Sequence, residues 1–149
     1  MHAVRHQTDR LADARHLLLT TFDPDGTATA TATWVVQDGP ALGVWAPADS
    51  DTVRRIRRHP GVLLTPCDAH GHPVAARIQA RATLCDPDTT ARYRTALINK
   101  YGLTAMLALA RSRLRVGLEG TVGIRLTVTD PDRLGLGREW RPTGRYSLN

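Results

Sequence analysis

The sequence predicts a mainly β domain of the α+β class, an antiparallel barrel of about six strands with short covering helices. Three observations lead to this prediction. Short apolar or alternating stretches recur along the chain, turn signals rich in glycine and proline separate them, and the strand–helix alternation typical of a parallel sheet is missing. With 149 residues the chain has the length of one domain, so we expect a single domain over residues 1–149.

The first third of the chain predicts a meander of neighbouring antiparallel strands. A short helix is expected over about 7–15, and three strands follow it. The turn signals DPDG and QDGP separate these strands, and the middle strand alternates as TATATAT before Trp34. The predicted strands are 16–22, 27–36 and 41–46.

The rest of the chain predicts three further strands and three further helices. An amphipathic helix is expected from an N-cap at Asp49 or Ser50 to about Arg58, where a His-Pro-Gly sequence ends it. Val53 and Ile56 share its inward face. The remaining strands are 62–67, 74–85 and 121–128. The remaining helices are 86–102, whose start is marked by Asp86 and the proline after it, and 103–114, before an irregular tail from Thr129.

The composition narrows the class of protein. No apolar run has the roughly 18 residues of a membrane span, and the first residues lack the apolar core of a secretory signal, so we expect a cytoplasmic protein without a membrane partner. Cys67 and Cys85 match no zinc or redox spacing and are predicted to be free thiols. His70 and His72 lie in a glycine-containing turn without a further ligand at suitable spacing, so no metal site is expected.

Arginine dominates the charge of the chain. The net charge is +6, and Lys100 is the only lysine. Four arginines, at positions 54, 55, 57 and 58, fall within five positions of the predicted helix. The planar guanidinium suits phosphate and carboxylate groups, and a helix N-terminus attracts anions. The cluster therefore indicates an anion-binding helix. A nucleic-acid partner is disfavoured, because no stacking motif accompanies the arginines.

Several of these stretches resemble one family. The sequences LLLTTF, TWVV, LGVWAPADS and RRHPGVLLTPCDAHGHP are similar to those of the pyridoxamine-phosphate-oxidase-like split-barrel flavoproteins, and more narrowly of the branch that binds the deazaflavin coenzyme F420. The similarity covers roughly residues 11–128 and is most specific over 42–73. It implies a six-stranded split barrel of the FMN-binding type, a homodimer with cofactor sites at its interface, and hydride transfer between the deazaflavin and a small organic substrate.

The resemblance also implies which residues bind the cofactor. The part of the strand 27–36 from Thr31 to Trp34 lies against the ring, and the end of the strand 41–46 with the start of the next helix holds the phosphate and the polyglutamate tail. The implied cofactor-binding residues are Thr31, Ala32, Thr33, Trp34, Ala46, Pro47, Ser50, Thr52, Arg54 and Arg55.

Four positions depart from the pattern of that branch. Ala46 stands where a threonine is usual, Thr52 stands where a lysine is usual, and Gln79-Ala80 replaces a Glu-Gly pair. The first two changes remove a hydroxyl and a cation from the phosphate region. FMN therefore stays open as the alternative cofactor.

The leading hypothesis is an F420H2-dependent reductase that transfers a hydride to an activated double bond of a small conjugated molecule, such as a natural product or a tetrapyrrole. The alternatives are an FMN-dependent oxidase or reductase of the same fold, and a non-catalytic carrier or sensor that binds a flavin or deazaflavin. No catalytic triad or carboxylate pair is identified, so no catalytic residue is assigned. Tyr101, His59, His70 and water remain open as the proton donor.

Overall fold

The computed structural model describes residues 2–68, 70–102 and 120–129, with side chains from residue 8 onward. These ranges contain seven strands and three helices. None of these helices is long and apolar enough to cross a membrane. In chain order the elements are α1 (His2–Asp13), β1 (His16–Phe22), β2 (Ala28–Thr33), β3 (Val36–Asp38), β4 (Ala41–Pro47), α2 (Asp51–Arg58), β5 (Gly61–Cys67), β6 (Ile78–Leu84), α3 (Pro87–Tyr101) and β7 (Thr121–Val128).

All seven strands belong to one antiparallel sheet in the order β2-β1-β5-β6-β7-β4-β3. β2 and β3 form its two edges, although only Trp34 and Val35 separate them in the sequence. The step from Thr33 to Val36 covers at most about 11 Å of extended chain. The sheet therefore has to curl until its edges nearly meet, which makes a barrel with one open seam. This confirms the predicted antiparallel split barrel with short covering helices.

The barrel has seven strands rather than the expected six, because the stretch 27–36 does not continue as one strand. β2 ends at Thr33, and the chain then crosses the seam to start β3 at Val36. β3 pairs with β4 across a two-residue connection in which Gly39 has a φ of +58°. The QDGP signal thus covers the end of a short strand as well as the turn.

The expected meander of neighbouring strands is wrong in part. β1 and β2 form the predicted hairpin, but β4 lies between β7 and β3, on the far side of the sheet from β2. An alternating Thr/Ala pattern is the same whether a hairpin or a crossover follows it, so the local sequence does not distinguish the two. Among the described strands β2 pairs only with β1, which leaves one of its edges free.

β6 is shorter than the strand predicted over 74–85. Its ladder with β5 stops at the pair formed by Leu64 and Ile78, and the residues just before Ile78 are exposed. Pro66 of β5 has no N–H to donate, and its carbonyl accepts a bond from Val74 N at 2.9 Å outside the regular ladder. β6 therefore begins at Ile78, the first of its residues with a regular ladder partner on β5.

One apolar cluster fills the interior of the barrel. Helices α1 and α2 and five of the strands contribute to it, and removal of these side chains from water is the main favourable term in folding. Its buried members are Leu11, Ala12, Leu17, Leu19, Val35, Leu42, Val44, Ile56, Val62, Leu64, Ala80, Ala82, Ile124, Leu126 and Val128.

Two helices begin at the caps that the sequence predicts. Ser50, rather than Asp49, caps α2, and its side chain accepts a hydrogen bond from the N–H of Val53 at 3.3 Å. Asp86 caps α3 and accepts from the N–H of Thr89 at 2.7 Å. The predicted inward face of α2 is confirmed, because its two apolar residues are both buried.

Tyr93 of α3 lies against β4 and β7 where each strand has a glycine. A Cβ atom at Gly43 would lie 2.8 Å from the tyrosine ring, and one at Gly123 would lie 2.9 Å from it. The Tyr93 hydroxyl donates to Asp38 Oδ2 at 2.5 Å, and Arg125 Nε donates to the same oxygen at 3.0 Å. The Tyr93 hydrogen bond, supported by Arg125, holds the pKa of Asp38 below its ordinary value. These contacts fix α3 on the outer face of the sheet.

Two smaller predictions can be compared with the structure, and two others cannot. Cys67 is buried and Cys85 is half-buried, and both are free thiols, as predicted. α1 begins earlier and ends earlier than the helix expected over 7–15. The helix expected over 103–114 and the tail beyond Thr129 lie outside the described residues.

Candidate functional site

An open cavity of about 630 Å³ lies at the seam of the barrel. The free edge strand β2 and the crossover after it form one wall, and the end of β4 with the opening turn of α2 forms the other. The lining residues are His16, Leu19, Thr31, Ala32, Thr33, Trp34, Trp45, Ala46, Pro47, Ser50, Asp51, Thr52, Arg55 and Ile124.

Nine of the ten residues implied as cofactor-binding line this cavity, although they come from separate parts of the fold. The exception is Arg54, which pairs with Asp51 on the surface of α2 and has a side chain that is 65% exposed. Arg57 and Arg58 are also exposed and do not line the cavity. Of the four clustered arginines, only Arg55 reaches it.

Three consecutive residues of β2, Thr31, Ala32 and Thr33, line the cavity. Successive side chains of a strand point to opposite faces of a sheet, so a cavity that touches all three runs along the edge of the strand. An edge of this kind presents backbone N–H and C=O groups that no neighbouring strand satisfies. It can therefore hydrogen-bond the polar rim of a flat ring.

The opening turn of α2 forms one end of the cavity. The first N–H groups of an α-helix have no intrahelical acceptor, and the helix dipole favours an anion beside them. Ser50 and Thr52 add two hydroxyls at this end. The carboxylate of Asp51 is also here, but its ion pair with Arg54 offsets the negative charge. The turn is thus suited to a phosphate or carboxylate group.

Arg55 brings a positive charge into the cavity. Its Nε donates to Thr21 Oγ1 at 2.7 Å, which holds the side chain against β1. Its Nη2 is buried and has no hydrogen-bond partner, and the same is true of Thr31 Oγ1 and His16 Nδ1. Buried polar atoms without partners are costly, most of all on a charged group. Three such atoms lie on residues that line the cavity, where water or a ligand can complete their bonding.

Trp34 and Trp45 are half-buried and give the cavity an aromatic wall. Trp34 stacks on Tyr101, with ring centroids 5.2 Å apart and planes at 21°. The Tyr101 hydroxyl accepts from Val35 N at 3.1 Å, and Lys100 Nζ donates to Val35 O at 2.7 Å. The end of α3 therefore fixes the crossover that carries Trp34.

His16 is a lining residue that the sequence analysis missed. It lies one step beyond the pair of Leu17 and Thr33 in the hairpin of β1 and β2, which brings it next to Trp34. Extending that hairpin register by one residue was the signal that could have found it. Burial lowers the pKa of His16 below its ordinary value, and the charge of Arg15 adds to this effect.

None of the three side chains left open as proton donors lines the cavity. These are Tyr101, His59 and His70. The Tyr101 hydroxyl is engaged with backbone groups, and it donates to Arg15 O at 3.0 Å. Burial also raises the pKa of Tyr101. His59 lies at the other end of α2, and its Nδ1 is 3.0 Å from the carbonyl oxygen of Gly61.

The fold and this site define a split-barrel protein with a ligand cavity in its seam. The model of the pyridoxamine 5'-phosphate oxidase family matches residues 5–130, and the chain belongs to that family, which contains flavin-binding oxidoreductases. A search of curated proteins gave no significant match.

Several solved structures share the fold at low sequence identity. An F420 reductase is 21% identical, with a TM-score of 0.55 over 82% of this chain and 93% of its own. The heme storage protein HutZ of Vibrio cholerae is 14% identical, with a TM-score of 0.62 over 85% of this chain and 91% of its own. The conserved protein Rv2991 of Mycobacterium tuberculosis is 20% identical, with a TM-score of 0.58 over 94% and 91%. These similarities show the shared fold.

Proposed function

We propose that the protein is an F420H2-dependent reductase that transfers a hydride to an activated double bond of a small conjugated molecule. The observation that carries this proposal is the cavity itself. It runs along a free strand edge, has an aromatic wall, and ends at a helix N-terminus beside the half-buried Arg55, whose Nη2 has no hydrogen-bond partner. This combination suits a flat ring that carries an anionic arm. One solved structure of this fold is an F420 reductase, which supports the choice of cofactor.

Each end of the cavity has residues that suit one part of such a cofactor. The segment 31–34 and the side chain of Trp45 would hold the ring, because the strand edge offers hydrogen bonds and the indoles offer apolar surface. Ser50, Thr52 and Arg55 would hold the phosphate and the acidic tail. When bound, the reduced deazaflavin supplies the hydride, and the chain orients both reactants and excludes water.

FMN is a second candidate, and a specific observation favours it. Ala46 and Thr52 both line the anion end of the cavity, where the F420-binding branch usually has a threonine and a lysine. Without that hydroxyl and that cation, the site offers less to a long acidic tail. It still offers Arg55 and the helix N-terminus to a single phosphate. An FMN-dependent oxidase or reductase would then use the same seam.

A homodimer is part of the proposal. The cavity is open to solvent on one side in the single chain, and a ring held there needs a cover that excludes water during hydride transfer. A second copy of the chain would supply that cover, as the resemblance implies.

The proposal is tested by titrating purified protein with F420 and with FMN while following fluorescence quenching. Arg55→Ala should weaken binding of the preferred cofactor by about 1.5–3 kcal/mol, roughly 10- to 160-fold in Kd, because a charge-assisted hydrogen bond is lost. Arg57→Ala is the matched control, since it removes the same charge from the exposed face of the same helix. Preferential FMN binding would replace the cofactor in the proposal.

An assay of turnover distinguishes the proposed reductase from a non-catalytic carrier or sensor. The F420H2-loaded protein should oxidise its cofactor with at least one member of a panel of enones, quinones and tetrapyrroles. Tight cofactor binding without turnover on any member would contradict the reductase and favour a carrier or sensor.

A further inference from the structure

The cavity contains an ionisable residue that the proposed function leaves without a role. Three ionisable side chains line it in the described part of the chain: His16, Asp51 and Arg55. Asp51 is exposed and paired with Arg54, and Arg55 donates from a guanidinium group. Of these three side chains, only His16 can donate a hydrogen bond from a neutral ring nitrogen.

His16 lies far from the anion end of the cavity. It begins β1, whereas Thr21, which holds the Arg55 guanidinium, lies five residues further along the same strand. Five residues of β-strand span about 17 Å. A flat molecule whose anionic arm binds at Arg55 therefore extends toward His16 with its ring end.

The surroundings of His16 favour the neutral imidazole. Its Nδ1 is buried without a hydrogen-bond partner, and the ring lies 6.5 Å from that of Tyr101. The charges that act on it are the cations of Arg15 and Lys100, which oppose protonation, and the carboxylate of Asp68, which favours it. Burial, followed by the charge of Arg15, outweighs the effect of Asp68, so the pKa of His16 is lowered and the neutral ring is favoured.

We propose that His16 donates a hydrogen bond from Nδ1 to a conjugated carbonyl oxygen at the ring end of the cavity. This inference rests on the proposed function, which brings two such oxygens to the seam: one on the dione edge of the cofactor ring and one on an enone substrate. A neutral donor is suited to either oxygen, because it stabilises negative charge that develops there without binding the ground state as an ion pair.

Two substitutions test the hydrogen bond. His16→Phe keeps an aromatic ring of similar shape but removes both nitrogens, and it should weaken binding of the molecule that carries the carbonyl about 3- to 10-fold. His16→Asn places an amide near the position of Nδ1 and should restore most of that loss. Equal affinities for wild type and His16→Phe would overturn the inference.

Nuclear magnetic resonance of isotope-labelled histidine gives a second reading on the unsubstituted protein. The His16 signals are assigned by their loss in His16→Asn, and the ring nitrogens report the tautomer. The protein is titrated first with oxidised F420 or FMN, and then with cyclohexenone. A shift to the Nδ1–H tautomer on cofactor addition assigns the bond to the cofactor ring, and a shift only after cyclohexenone assigns it to the substrate. The signals of exposed His59 and His70 should not move.

The outcomes separate this inference from the proposed function. If a cofactor binds tightly but the His16 signals stay fixed in both titrations, the His16 bond is wrong and the cofactor site stands. If neither cofactor binds while cyclohexenone still shifts the His16 signals, the proposed function fails and the carbonyl site stands.

Discussion

Replacing Gly43 by alanine should destabilise the protein, because the new methyl group meets the ring of Tyr93. The Cβ atom would lie 2.8 Å from two ring carbons, whereas ordinary contacts begin at 3.4 Å. The ring therefore has to move by about 0.6 Å, and it is only 3% exposed and tied to Asp38 by a 2.5 Å hydrogen bond. Overpacking of this kind costs about 1–3 kcal/mol.

Part of that cost is offset. Gly43 has no positive φ, so alanine fits the backbone. It also lowers the conformational entropy of the unfolded chain, which raises the free energy of unfolding by about 0.4–1 kcal/mol. At the middle of both ranges we expect a net loss of about 1.3 kcal/mol in the free energy of unfolding. Urea unfolding followed by tryptophan fluorescence measures it. Gly61→Ala is the control, since its Cβ would meet only the movable ring of His59 at 3.2 Å.

A double-mutant cycle isolates the contact. In a Tyr93→Leu background the same Gly43→Ala change should be neutral or stabilising, because the ring that it displaces is gone. An equal loss in both backgrounds, or no loss in the native one, would refute the claim that the glycine makes room for Tyr93.

Three further predictions follow from the site and the sheet. Thr52→Lys should tighten F420 binding by about 1 kcal/mol, roughly fivefold, because it adds a cation at the anion end; isothermal titration in low and high salt checks this, and a salt-independent gain would contradict it. Because the pKa of Asp38 is lowered in the folded protein, its carboxylate stabilises the fold above the pKa of an unfolded aspartate, and this stability is lost as the pH falls through the folded pKa. Asp38→Asn should therefore reduce the loss of unfolding free energy at acidic pH, measured by urea unfolding at a series of pH values. An unchanged acid dependence would count against it. Light scattering should give twice the mass of one chain, and a monomer that still binds cofactor would refute the shared site.

Local sequence signals predicted most of the elements. The spacing of Val53 and Ile56 fixed the inward face of α2, and the cap at Asp86 marked the start of α3. These features depend on residues within one or two turns of each other, so short-range periodicity and capping chemistry are sufficient. The arginine cluster likewise identified the helix that borders the cavity.

What the sequence missed depends on contacts between distant segments. The end of β2 at Thr33 is set by the crossover at Trp34 and Val35, which α3 holds from more than sixty residues away. His16 and Trp34 approach each other only through strand pairing. Arg54 and Arg55 are adjacent and chemically identical, and only the orientation of α2 on the sheet decides which of them reaches the cavity. No local pattern carries that information.

The crossover has a consequence for how a ligand can come and go. Only Trp34 and Val35 connect the two edge strands, and hydrogen bonds with Lys100 and Tyr101 hold Val35 in place. The two edges of the sheet therefore cannot move far apart at this point. In the single chain a ligand would enter and leave by the solvent-facing side of the groove, which is also the side that the proposed second copy would cover.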